Sequence, residues 1–411
     1  MLRMLLEGVH LYERFIARQP IFDHRLKVFA YELLFRAGPQ NAFQPRKDAS
    51  SSVIVDSMML FDLQNLTGHA KAFINADQTA LLQGAVRLLP ADRIIVEILE
   101  TVVPTPEIVA ACAALREAGY ILALDDYVDH PKWAPLLALA RFLKVDFRLS
   151  DRDACRKMAE RYLPQGLQLL AEKVETQDEL SQARAMGYTY FQGYFFCKPT
   201  MVEGRDIPSN KLNHVRLLAS INSPEFSFEK IEKVMKQEPS LVYKLLRYLN
   251  SPLLGLRNEI RSIGHAISLI GETEFRRWVS VVAIVSMSGD KPPELIRTAL
   301  TRAYFCEEIS EPLGMSAQRS DLFLMGLLSV TDAILDLPMD NVVSHLPLSS
   351  EVQTALCGGA NRFRDVYDMF VSYERADWKA LSCLSAKIGY LEERVPECYL
   401  SAATRAASVS V

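Results

Sequence analysis

In ILALDDY, residues 121–127, four apolar residues run straight into two adjacent aspartates. A run that short, apolar throughout and bounded by polar residues, reads as a strand buried on both faces. The segment before it, TPEIVAACAALREAG (105–119), carries apolar positions at helical spacing and Gly119 as a stop. Further out the same strand pattern recurs: VFAYE closes on Glu32, AFIN on Asn75, RIIVE on Glu97, FLK on Lys144, LLAE on Glu172 and YTYFQ on Gln192. From Asn75 onward the polar ends, Asp125 included, are spaced by 22, 28, 19, 28 and 20 residues, about one strand plus one helix each. With FIARQPIF (15–22) as a further strand, eight such units close into a (β/α)₈ TIM-like barrel whose strand ends form one polar floor at its mouth. An open doubly wound sheet would call for a Gly-rich phosphate turn, and the sequence has none.

The chain has 411 residues, more than one core usually serves, so two domains are expected. Near residues 203–213, EGRDIPSNKLN, the composition turns polar, and beyond it strand patterns all but vanish. HVRLLASIN (214–222), SFEKIEKVMKQ (227–237), PSLVYKLLRYLN (239–250), SIGHAISLIG (262–271), EFRRWVSVVAIVSM (274–287), PELIRTALTRAYFCEEIS (293–310), RSDLFLMGLLSVTDAIL (319–335), SEVQTALCG (350–358) and KALSCLSAKIG (379–389) all read as helices. The reading is therefore a barrel over 14–204, a linker over 205–213 and an all-α domain over 214–402.

A net charge of −4 gives no electrostatic reason to expect nucleic acid. No stretch approaches the ~20 apolar residues of a membrane span, and the opening MLRMLLEGVH is too short for a signal peptide. Seven scattered cysteines without a C-x-x-C pair fit buried, reduced thiols and a cytoplasmic protein.

Glu32, Asn75, Glu97 and Asp125 are hard oxygen donors, suited to Mg²⁺ or Mn²⁺ rather than zinc. Carboxylates crowded at one mouth raise one another's pKa, a cost that one or two divalent ions remove. Asp125 and Asp126, diverging at a strand end, could reach separate ions, and Glu172 suits a second ligand or a base. Two ions activate a water and steady a leaving oxygen in phosphodiester hydrolysis. Lys144 would orient or deprotonate that water or neutralise phosphate charge. Singly, each is more often a rim charge, and the aspartate pair could simply cap a turn; the rhythm of the whole set favours a site.

These motifs resemble the EAL family of cyclic di-GMP phosphodiesterases. YELLFR (31–36) matches the motif that names the family, with Leu33 for its alanine. FINAD carries Asn75, VEILE carries Glu97 and Glu100, and the aspartate pair is Asp125–Asp126. LKVD carries Lys144, AEKVET (171–176) matches A-E-G-V-E-T, and Gln192 opens Q-G-Y. The resemblance implies Mg²⁺- or Mn²⁺-dependent hydrolysis of cyclic di-GMP to linear pGpG. It makes Glu32, Asn75, Glu97, Asp125, Asp126 and Glu172 metal ligands, with Glu32, Lys144 and Glu172 catalytic. Gln19, Arg36 and Gln192 would bind the dinucleotide, Arg36 through its phosphate, and Glu100 would anchor the loop after the aspartates. It also implies a homodimer. That loop departs from the family's D-D-F-G-T-G: DDYVDHPKW has lost the glycines and gained Pro131, which removes backbone freedom. A catalytically weak receptor for cyclic di-GMP is the alternative, and Lys144 filling the metal position would favour it.

The second half resembles the HDOD family, relatives of the HD phosphohydrolases, over 237–271. At the HD dyad stand Ser329 and Val330, in GLLSVTDAIL (326–335), and neither ligates metal. His265 reads as a core or capping histidine, and Asn250-Ser251-Pro252 as a turn. The order barrel–HDOD resembles a bacterial signalling architecture, with the helical domain as a regulatory or docking module for a protein partner.

Overall fold

A computed structural model describes residues 14–37, 63–198, 209–223 and 263–409. Eight strands close into a barrel in sequence order: β1 Arg14–Asp23, β2 Val28–Ala37, β3 Lys71–Ala76, β4 Ile94–Ile98, β5 Ile121–Leu124, β6 Phe142–Asp146, β7 Gln168–Glu172 and β8 Tyr190–Gln192. From β2 to β8 every pair is parallel, as the strand–helix alternation requires. β1 departs from a uniform (β/α)₈ barrel, for it runs antiparallel to both β2 and β8. The connection from Asp23 to Val28 is a tight turn closed by the Asp23 side chain on the backbone N–H groups of Arg25 and Lys27. A link so short makes a hairpin and cannot carry a crossover.

The covering helices start and stop on local signals. Thr105 caps Pro106–Glu117 through the Ile108 N–H, and Gly119 turns the chain out at φ +91°. Asp151 caps Arg152–Tyr162, and Thr176 with Glu179 forms a capping box on Gln177–Ala185.

Inside the barrel, Ile21, Ala30, Phe73, Ile95, Ala123, Phe142 and Leu170 make one apolar layer. Phe142 packs edge-on against Phe73 and Tyr190. Because side chains alternate along a strand, the residue two places nearer the mouth on each strand also points inward. That second layer is Gln19, Glu32, Asn75, Glu97, Asp125, Lys144, Glu172 and Gln192, one polar residue per strand or strand end. The period of two that packs the floor of the barrel therefore also assembles its site.

The chain forms two compact units. The first holds residues 1–196 with 371–387 and 391–400, where the fully buried Tyr373 hydroxyl donates to the Ile16 carbonyl at 2.8 Å. The second holds 197–370, 388–390 and 401–411. The segment read as a linker, 205–213, ends inside a helix that begins at Ser209. In the second unit SIGHAISLIG and EFRRWVSVVAIVSM belong to one helical element, Ile263–Met287, interrupted at Gly271 (φ 79°). Helices Arg362–Glu374 and Val395–Ser408 were not anticipated, since RFRDVYDMFVSYE and VPECYLSAATRAAS break their apolar pattern with charge or proline. SFEKIEKVMKQ, PSLVYKLLRYLN and Asn250-Ser251-Pro252 lie outside the described residues, as does the side chain of His265.

All seven cysteines are free thiols. Four are buried, but Cys357 and Cys383 are exposed, which corrects the expectation of uniform burial. Among the described residues no helix is long and apolar enough to cross a membrane.

Candidate active site

Glu32, Glu97, Asp125 and Glu172 all turn their carboxylates toward the Lys144 ammonium. Lys144 Nζ lies 2.8 Å from Glu172 Oε1, 3.1 Å from Asp125 Oδ1 and 3.5 Å from Glu32 Oε2, and is hydrogen bonded to Glu97 Oε1. Lys144 and Glu97 are 1% and 0% exposed, so water cannot screen them. Gln192 Nε2 donates to Glu32 Oε2 at 2.5 Å and to Gln19 Oε1 at 3.2 Å, and Asn75 Nδ2 reaches Glu32 Oε1 at 3.4 Å. Gly193, next after Gln192, has no substitute: a Cβ there would meet the Val174 carbonyl at 2.0 Å.

One ammonium cannot balance three buried carboxylates and a half-buried fourth, Asp125. Burial, then the charges of Glu172, Glu32, Asp126 and Glu100, push the Asp125 carboxyl up to about 9. Burial likewise pushes Glu172 to about 7, with the Lys144 charge working the other way. Asn75 Oδ1, Glu97 Oε2 and Glu172 Oε2 are buried oxygens without a hydrogen-bond donor. Orphaned acceptors are rare in native interiors, and here they cluster among carboxylates. Glu32, Glu97 and Glu172 offer oxygens within 4.8 Å of one another, and Glu100, Asp125 and Asp126 do the same. The donor set is all oxygen, three-quarters or more of it anionic, and fits a hard divalent cation.

The structure brings together Gln19, Glu32, Asn75, Glu97, Asp125, Lys144, Glu172 and Gln192, and places Asp126 and Glu100 beside Asp125. Arg36 is not in that ring. It pairs with Glu392 at 2.8 Å and lies over the Trp378 ring, within the first unit. Glu100 is exposed and, among the described residues, has no hydrogen bond to the following loop, though its carboxylate lies within 4.8 Å of those of Asp125 and Asp126, where the loop begins. That loop is tied instead by Asp129, which accepts from the Tyr162 hydroxyl at 2.7 Å and pairs with Arg161. Tyr162 in turn shares a 2.7 Å hydrogen bond with the Tyr127 hydroxyl.

Sequence reasoning passed over Asp146 and Lys173. Asp146, two residues beyond Lys144, accepts from the N–H groups of Arg148 and Leu149 and from Lys173 Nζ. Lys173 also lies 3.7 Å from Asp126 Oδ1. The signal was in AEKVET, where a lysine stands at the family's glycine.

At the place of an HD dyad, Ser329 donates to the Gly326 carbonyl and accepts from Arg302, and Val330 is fully buried. Among the described residues both carboxylate clusters able to hold a metal lie in the barrel.

The EAL domain family model matches residues 52–199 and the HDOD domain model residues 207–335. Over 385 residues the chain is 34% identical to the cyclic di-GMP phosphodiesterase CdgJ of Vibrio cholerae, covering 92% of this chain and 89% of CdgJ. The chain is an EAL–HDOD protein. The uncharacterized protein YuxH of Bacillus subtilis is 30% identical over 398 residues, 94% of this chain and 97% of YuxH. Among solved structures, BlrP1 of Klebsiella pneumoniae with manganese and cyclic di-GMP is 24% identical, at a TM-score of 0.39, covering 46% of this chain and 56% of that one. The EAL match begins after Glu32 and Arg36 and so covers neither residue.

Proposed function

We propose that the barrel is a cyclic di-GMP phosphodiesterase that opens the cyclic dinucleotide to linear pGpG with Mg²⁺ or Mn²⁺. The single observation that carries this reading is the ring of four carboxylates with orphaned oxygens around one ammonium. The likeness to CdgJ supports the substrate. Glu32, Asn75, Glu97, Asp125, Asp126 and Glu172 would between them hold one or two such ions, which would supply a nucleophilic water at neutral pH and charge stabilisation of the phosphodiester.

The protein's own groups do the rest. Lys144, facing all four carboxylates of the ring, would hold a proton near the water or face phosphate charge. Glu172, held near neutral pH, can exchange a proton at its free Oε2. Gln192, which also donates to Gln19, holds Glu32 through Oε2, and the two glutamines would offer amides to the dinucleotide. The helical unit, without a metal-ligating dyad, would serve as a regulatory or docking module for a protein partner, possessed of no chemistry of its own. The free thiols suit the cytoplasm, and a homodimer is part of the same reading.

Product analysis with cyclic di-GMP and Mn²⁺ on the full-length protein tests the proposal. Wild type should yield pGpG and Glu32→Ala should not; equal slow turnover by both would end the case for hydrolysis. A receptor is the second reading, favoured by Lys144 within the acid ring and by the pinned, glycine-free loop. Tight binding in Ca²⁺ with no product in Mg²⁺ or Mn²⁺ would select it.

A further inference from the structure

Lys173 follows Glu172 directly and adopts φ +55°, a left-handed conformation that L-residues with a long side chain seldom take. Such a backbone persists where its surroundings demand it, and it clusters at functional sites. Here it puts an ammonium beside two aspartates. Lys173 Nζ is 2.5 Å from Asp146 Oδ2 and 3.7 Å from Asp126 Oδ1. Asp146 is itself buried and immobilised by the N–H groups of Arg148 at 2.7 Å and Leu149 at 3.1 Å, so it acts as a fixed post for the ammonium.

Asp126 belongs to the second carboxylate cluster, with Glu100 and Asp125. It too has a left-handed backbone, φ +38°, and its Oδ1 is buried without a hydrogen-bond donor. The two clusters meet at Asp125, yet their cations differ. The inner ring of Glu32, Glu97, Asp125 and Glu172 surrounds Lys144, whereas Lys173 approaches the outer cluster from the Asp126 side. An ion bound through Asp126 would stand within a few ångströms of a lysine that is charged at neutral pH.

We infer that Lys173 takes the place of a second cation, so that each chain holds one divalent ion in the inner ring, with lysine charge at Asp126. This rests on the proposed metal-dependent function. It makes the ammonium a determinant of metal stoichiometry: removing it would leave Glu100, Asp125 and Asp126 free to take up a second ion.

Mn²⁺ alone, titrated into the full-length protein, tests this by calorimetry and electron paramagnetic resonance. Lys173→Gly suits the left-handed backbone and Lys173→Gln keeps most of the side chain, so the two separate charge from strain. Wild type should bind one Mn²⁺ per chain, with the resolved hyperfine spectrum of an isolated ion. Both variants should gain a second ion, at least tenfold tighter than any second binding to wild type, with the broadened spectrum of a spin-coupled pair. Two coupled ions in wild type, or a single ion in both variants, would overturn the inference while leaving the proposed function standing. No Mn²⁺ binding by wild type at all would overturn both.

Discussion

Arg36 Nη1 donates to Glu392 Oε1 at 2.8 Å, joining the barrel's second strand to a residue 356 positions later in the chain. Both side chains are largely buried, 9% and 11% exposed, and the Trp378 ring lies against the guanidinium. A guanidinium that binds a carboxylate can bind a phosphate in its place. If Arg36 serves the dinucleotide, Glu392 competes with the substrate for it. Glu392→Gln keeps a hydrogen-bond acceptor but removes the charge, and should lower KM for cyclic di-GMP about fivefold, the equivalent of about 1 kcal/mol, with little change in kcat. An unchanged KM would detach Arg36 from substrate binding.

Lys144 is the cation that keeps the acid ring compatible with burial. Replacing it by methionine leaves four carboxylates without a counter-charge, and in the absence of metal should destabilise the protein by about 3 kcal/mol near neutral pH. Saturating Mn²⁺ should restore most of that loss, since the ion supplies the missing charge. Turnover should not return, falling about a hundredfold or more if Lys144 handles a proton in the reaction. Thermal melts with EDTA or Mn²⁺, paired with product formation, separate the two roles; recovery of both would make Lys144 merely a stabilising counter-ion.

Much of this could be read in advance because a strand has a period of two and because polar strand ends recur at one rhythm along the chain. Glu97 and Lys144 sit two residues beyond Ile95 and Phe142, and that offset alone aims them into the barrel. The direction of β1 was hidden because FIARQPIF looks the same whichever way it runs; only the short hairpin at residues 24–27 betrays it. The Arg36–Glu392 pair and the Asp129–Tyr162 tie were illegible because each joins residues far apart in sequence through contacts without periodicity. The placement of residues 371–387 and 391–400 with the barrel was lost for the same reason.

Asp129 is where the glycine-free loop meets the helix Arg152–Tyr162. It accepts from Tyr162 and pairs with Arg161, while Trp133 a few residues on is buried. Asp129→Ala should therefore cost about 1 kcal/mol of local stability and speed amide exchange across residues 127–133 about fivefold. Mn²⁺ affinity should stay within about twofold, because Asp129 is not among the ring carboxylates. A large loss of metal affinity would instead mean that the loop's rigidity holds Asp125 and Asp126 in place.

The ring also fixes how stability answers to pH. Asp125 is pushed up to about 9 and Glu172 to about 7, in each case first by burial, from ordinary carboxyl values near 4. A carboxyl whose folded pKa is raised binds more protons folded than unfolded between those values. Its contribution is therefore fully present below about pH 4 and is lost as pH rises through the folded pKa. The metal-free protein should melt at lower temperature as pH is raised from about 5 to about 8, over the window these two groups span. A divalent ion needs both groups ionised, so its affinity should climb over the same window and its binding should release protons. Melting in EDTA and in Mn²⁺ should thus diverge as pH rises, and Asp125→Asn should flatten the EDTA curve. Parallel curves in wild type would mean that the carboxylates are already ionised without metal, and that the buried ring is balanced by something other than a cation.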